Sequence, residues 1–187
     1  YGQRKTRGAV AQLSPQVVTF RFAVRHMLVS KVRGRFTRWN GAIQIDERDL
    51  TRSTVEVTID AASVDTGIAD RDAHLRSPDF FDVEKFPELR YRGTHVEKLG
   101  EDRYRIVGEL TLRDVTREVV LDVEHGGRAK DPWGNERMGF VVRAHLDRRD
   151  FGLRWNQVLE AGGVLVGDRI DIEIEVEAVS AAATLAA

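Results

Sequence analysis

The chain has 187 residues, 42% of them hydrophobic, and its 29 basic and 30 acidic side chains leave a formal net charge of -1. That length and apolar content fit one domain with a full core, and the balanced charge lacks the positive excess of a nucleic-acid surface. There is no cysteine, which excludes disulfides, thiolate nucleophiles, iron–sulfur clusters and cysteine zinc sites, and no apolar run approaches the roughly 18 residues of a membrane-spanning helix.

Residues 1–16 read as a flexible N-terminal segment, basic at Arg4, Lys5 and Arg7. The chain begins at Tyr1 and carries no secretory apolar stretch. The compartment therefore stays open: cytoplasmic, or periplasmic or secreted where a leader has been processed. From position 17 the dominant signal is period-two alternation. Phe20, Phe22, Val24 and His26 share one face, against Thr19, Arg21, Ala23 and Arg25. The stretch 32–45 is ambiguous between one bent strand and a hairpin, and Gly41, Ile43 and Ile45 lie on its apolar face. Val55, Val57 and Ile59 alternate with charged or hydroxyl neighbours.

The pattern then breaks. Residues 71–86 gather one acid, Asp72, with two arginines and a histidine, then Ser77-Pro78-Asp79 and the phenylalanines 80, 81 and 86. A helix over about 67–76 is expected, capped by Asp65 or Thr66, with Asp72 and Arg76 spaced for an i,i+4 ion pair and Ser77-Pro78 ending it. Alternation resumes at Leu89, Tyr91 and Gly93. It continues through Ile106, Leu110 and Leu112, then Val119, Leu121 and Val123, then Phe140, Val142, Ala144 and Leu146. A second helical turn is expected over about 154–160, and the last strand presents Ile170, Ile172, Ile174 and Val176. Residues 180–187 read as a frayed tail, and 17–179 as a single domain.

About eight strands joined by short turns must pair antiparallel. Two helical pieces are too few to cover such a sheet, so it has to cover itself, as a barrel or a sandwich. An eight-stranded barrel is either just filled by side chains or holds one small ligand; walls of Val, Ile, Leu, Ala and Gly point to room for an elongated apolar ligand, with a tightly packed sandwich as the alternative.

Motifs that carry chemistry are scarce. Phosphate-cradling glycine loops and a Gly-x-Ser-x-Gly elbow are absent. Asp70, Asp72 and His74 come nearest to a metal set, but on a helix they point apart. His125 and His145 read as surface positions. His26 ends the apolar face of the first strand, where a core histidine and a ligand's polar contact are equally in keeping. The pairs Asp70 and Asp72, and Asp147 and Asp150, suit acid–base work, although neighbouring arginines favour ordinary ion pairs. The charged and aromatic segment 147–156 resembles 71–86, and the two segments suit the lips, or a lid and a plug, of one barrel mouth.

Five stretches together resemble the YceI-like polyisoprenoid-binding family: residues 26–36, 71–83, 108–116, 149–156 and 162–168. They fall in order across about 17–179. The resemblance implies an extended lipocalin-like antiparallel barrel whose pore holds a polyisoprenoid, isoprenoid quinone or similar long-chain lipid. It implies carriage, storage or sensing rather than catalysis, often as a homodimer, with no required cofactor and no metal. One departure is that the family commonly opens with Asp-Pro-x-His-Ser, where this chain has Ser14-Pro15-Gln16-Val17-Val18, so a head-group contact from that histidine is missing. On this reading the lipid tail lies against Phe20, Phe22, Val24, Ile43, Val57, Ile59, Ile106, Leu110, Leu121, Phe140, Val142, Ile172 and Ile174. The head or mouth falls among His26, Asp72, His74, Arg76, Asp79, Phe80, Phe81, Arg148, Trp155 and Asn156. The rivals are an enzyme acting on an apolar substrate, with His26 and His74 as acid and base, and a filled structural module with no ligand.

Overall fold

The alternating stretches form strands whose apolar side chains turn inward. The computed structural model describes residues 10–11, 13–27, 29–44, 46, 48–160 and 162–179; residues 1–9 and the tail from 180 lie outside them. The strands are β1 (Val10–Ala11), β2 (Leu13–His26), β3 (Ser30–Phe36), β4 (Trp39–Gln44), β5 (Thr54–Asp60), β6 (Val64–Asp65), β7 (Glu88–Lys98), β8 (Arg103–Leu112), β9 (Val115–Lys130), β10 (Glu136–Asp147) and β11 (Val166–Val179). Among the described residues a single α-helix, α1 (Ala69–Arg76), stands between β6 and β7. Among the described residues the sheet is already present at Val10, inside the segment read as flexible.

All strands join one antiparallel sheet in the order β1-β4-β5-β7-β8-β9-β10-β11-β2-β3-β6. The sheet curls into a half-barrel, and its two edges are tied by the chain itself. β1 pairs with β4 through Val10–Gln44 and Ala11–Ile43, while β2, which follows it directly, pairs with β11 and β3. β3 and β4 form one extended stretch broken at Thr37–Arg38, where the chain leaves β2 and joins β5. The expected eight strands are therefore an undercount of the eleven described. The extra segments are β4 beyond that break, β1 ahead of the expected first strand, and the two-residue β6. The region 32–45 is a bent strand, not a hairpin.

Register controls which side chains face inward, because a one-residue slip turns a strand over. β7 uses this: its pairing with β8 shifts between Gly93 and His95. Beyond the bulge Val96 takes the inner face and His95 turns out to meet Glu97 at 2.8 Å. Gly34 on β3 marks a close approach, since a Cβ there would collide with the Phe22 ring. His125 corrects the sequence reading: its side chain is only 12% exposed, because it continues the inward row of Val119, Leu121 and Val123 and its ring lies edge-on against Phe140.

The β9–β10 turn is organised by Asp131. Its carboxylate accepts the Trp133 and Asn135 backbone N–H groups at 2.9 Å each, Asn135 Nδ2 at 3.2 Å and Arg137 Nε at 2.9 Å. Burial opposes the charged form, but these donors outweigh it and hold the carboxyl at about 2. The folded value lies below the unfolded one of about 3.9. The stabilisation is thus fully present above the unfolded value and is lost as pH falls through about 2. Thermal unfolding of the parent and Asp131→Asn from neutral pH downward should show their difference shrinking between about pH 4 and pH 2; a difference that ignores pH would refute it.

Candidate functional site

The inner face of the curled sheet encloses a cavity of about 380 Å³, within the range of pockets that hold small ligands. Its lining on β2 runs from Val18 to His26, eight residue steps or about 26 Å of strand. Every residue expected against the lipid tail lines it except Ile43, whose side chain lies outside the described residues. Tyr91, Leu89, Leu112, Val119, Leu153 and Leu165 are also in the wall. Tyr91 brings a hydroxyl into this apolar surface but gives its proton to the Val119 carbonyl at 3.0 Å. Burial pushes its pKa well above that of a free phenol.

The cavity has chemically different ends. One is lined by Val18, Leu50, Ser53, Val96 and Val176, and the other by His26, Arg71, His74, Arg148 and Trp155. No carboxylate lines it, so its fixed charge is positive and confined to one end.

That end is built by the two excursions. In the first, α1 has little apolar surface and is held by polar staples. Asp72, 7% exposed, accepts from Thr66 N at 2.9 Å and Thr66 Oγ1 at 2.5 Å. Arg76 donates to the carbonyls of Ala62 at 2.8 Å and Val64 at 3.1 Å. The expected Asp72–Arg76 ion pair does not form, because each side chain finds backbone or hydroxyl partners in 62–66 instead. Nor do Asp65 or Thr66 cap the helix. Ile68 occupies that position without a side-chain bond, Asp65 accepts from Gly67 N, and Ser77 ends the helix as expected. The opposite side of α1 carries Arg71, His74 and Leu75 to the cavity.

His74 stands at the centre of an aromatic cluster, with Trp155 at 4.5 Å, Phe80 at 5.1 Å and the Phe80–Trp155 pair at 5.4 Å between ring centroids. Its Nε2 lies 2.8 Å from Asp79 Oδ2; an ionised carboxylate only accepts, so the imidazole donates. Phe81 packs edge-on against Phe36 at 5.7 Å. The two excursions therefore touch through Trp155.

The second excursion is organised by Arg148, 3% exposed. Its guanidinium donates to the carbonyls of Leu153, Trp155 and Gly167 at 2.8–2.9 Å, and Asp168 lies at 3.5 Å. Burial pulls its pKa down, opposed by Asp168 and Asp147. The helical turn expected over 154–160 is absent. Helical geometry appears earlier, at Arg148–Phe151, capped by Asp147 and stopped by Gly152 in the left-handed region. Residues 154–158 stay out of helix: the Asn156 side chain clamps both backbone groups of Val166, at 2.8 and 3.0 Å, and Val158 bridges to Val164.

Of the residues expected at the mouth, His26, His74, Phe80, Phe81, Arg148 and Trp155 line the cavity. Asp72, Arg76 and Asn156 lie outside its wall, and Asp79 meets it only through His74. Arg71 is the residue that sequence reasoning missed, although it sits three and four positions before His74 and Leu75 on one helix face. Asp70 is exposed and Asp147 is engaged with Arg149, so neither carboxylate pair assembles a site. Among the described residues no group of three or more His, Asp or Glu could hold a metal.

A curled antiparallel sheet around one elongated apolar cavity with a polar end defines a lipocalin-like ligand-enclosing architecture. The chain belongs to the YceI-like family, whose domain model matches residues 12–178. It is 41% identical over 133 residues to a UPF0312 protein of Photorhabdus laumondii, covering 71% of this chain and 69% of that one. It is similar to the crystal structure of the Campylobacter jejuni YCEI protein, with a TM-score of 0.70, 33% identity, and 83% and 88% of the two chains covered. A polyisoprenoid binding domain from Saccharophagus degradans shares the fold at a TM-score of 0.65 and 14% identity, over 92% and 98% of the chains.

Proposed function

We propose that this protein binds one long-chain amphiphile, a polyisoprenoid, isoprenoid quinone or similar lipid, for carriage, storage or sensing and without catalysis. The observation that carries this reading is the separation of the cavity into a long apolar wall and a single cationic end. Each buried methylene contributes roughly 0.8 kcal/mol, so the tail needs few polar contacts. The Saccharophagus degradans domain that shares this fold is a polyisoprenoid binding domain, which supports the same ligand class. The rival enzyme reading needs His26 and His74 to share one proton-transfer site; both line the same end of the cavity, and turnover of a bound prenyl lipid by the parent but not by His74→Ala would replace the binding reading with it.

The head group meets Arg71. Its Nε and Nη2 are held by Thr66 Oγ1 and Thr66 O, which leaves Nη1 to donate to an acceptor-rich head such as a carbonyl, carboxylate or phosphate. A hydrogen bond from a charged donor is worth about 1.5–3 kcal/mol. Arg71→Gln should therefore weaken binding of a prenyl phosphate by about 10- to 150-fold and leave a hydrocarbon of equal length unchanged, as read by fluorescence competition. Equal effects on both ligands would remove the head from this end.

A further inference from the structure

The cationic end carries a feature the cavity does not use. Val29 is 93% exposed, Val158 77%, Met27 52% and Val164 43%. They form one neighbourhood. The Met27 N–H donates to the Leu165 carbonyl at 2.9 Å, the Leu165 N–H donates to Gln157 O at 2.8 Å, and Val158 bridges to Val164. Met27 and Val29 thus lie beside the bridged Val158 and Val164 at the rim, and Leu165 and Val166 next to them line the cavity.

The outer face beside this apolar tip is basic. Arg25 lies directly opposite Lys31 and Arg21 opposite Arg35, with Arg33 between the two rungs. Like charges facing each other across strands destabilise a sheet. Arg21 and Arg35 are offset by Glu175 and Asp65. Arg25, Lys31 and Arg33 have no ion-pair partner among the described residues and are exposed. The nearby Asp168 and Asp171 face Arg148, Arg149 and Arg169, and Glu160 is the only acid in the 157–165 hairpin.

We propose that this rim docks on the surface of an anionic lipid bilayer, with Met27, Val29, Val158 and Val164 entering the interface and Arg25, Lys31 and Arg33 meeting the headgroups. Apolar tips beside unpaired cations are the pattern that binds such interfaces, through buried apolar area plus attraction to anionic lipid. The position at the polar end of the cavity would let an amphiphile pass between bilayer and barrel without crossing water. The proposal rests on the amphiphile reading of the cavity.

Cosedimentation with vesicles of equal parts phosphatidylglycerol and phosphatidylcholine tests it, with anthroyloxystearate binding in vesicle-free solution as the separate readout of the cavity. Sedimentation with the anionic vesicles should exceed that with pure phosphatidylcholine and fall with added salt. It should drop at least tenfold both in Val29→Asp combined with Val158→Asp and in Arg25→Glu combined with Lys31→Glu, while stearate binding is unchanged. Failure to sediment with anionic vesicles, or equal sedimentation of parent and variants, would overturn the docking surface while intact stearate binding keeps the cavity reading. Loss of stearate binding in the parent would overturn the cavity reading instead. A concentration-dependent dimer abolished by Val29→Asp, with no vesicle binding, would assign the patch to a second copy of the chain and overturn the bilayer.

Discussion

Replacing Arg148 with methionine should lower folding stability by about 3–5 kcal/mol, the usual cost of breaking a buried charge network from one side. The carbonyls of Leu153, Trp155 and Gly167 would each lose a donor held at 2.8–2.9 Å, and buried unpaired acceptors cost about 1–3 kcal/mol apiece. The guanidinium also ties the start of β11 to the 152–156 segment, so the damage extends to the wall behind Trp155. Urea unfolding should show a lower midpoint with an unchanged slope. Lysine should recover only part of the loss, because its ammonium lacks the planar fork that reaches three carbonyls. A midpoint within experimental error of the parent would mean that Arg148 does not organise this end.

Ile172→Trp should abolish amphiphile binding without unfolding the protein. Ile172 pairs with Phe22 on β2 and Ala144 on β10, and it lines the cavity. An indole there would occupy the tail's path. Displacing four methylenes costs about 3 kcal/mol, or roughly 200-fold in affinity. Glu173, the next residue, faces outward and meets Arg143 at 3.6 Å, so Glu173→Ala should leave affinity unchanged. Titration with a fluorescent long-chain fatty acid, alongside circular dichroism, reads both. Equal affinity in Ile172→Trp and Glu173→Ala would move the ligand out of the cavity.

Much of the wall was legible because β-structure has an unambiguous period. Phe20, Phe22, Val24 and His26 alternate on one strand and line one cavity, as period-two reading requires. The bulge at Gly93–His95 shows where that reading stops, since one extra residue reverses the faces of the rest of β7. The excursions were legible as functional neighbourhoods but not as geometry. Asp72 and Arg76 do share a helix face, yet it is turned toward Thr66 and Ala62, while Arg71 and His74 face inward. Helix spacing groups residues without saying which group meets the barrel, and only the tertiary fit of α1 decides it. The 154–160 stretch has helix-compatible residues, but the Asn156 side chain satisfies Val166 on both backbone groups and keeps 154–158 out of helix. A long-range clamp of that kind leaves no local signature.

The most direct test of the central claim is organic extraction of protein purified without detergent, followed by mass spectrometry. A long-chain apolar species should appear at about one per chain in the parent, as expected for a barrel that holds a single ligand, and be lost from Ile172→Trp. An empty extract from the parent, with no binding of added prenyl lipids, would contradict it.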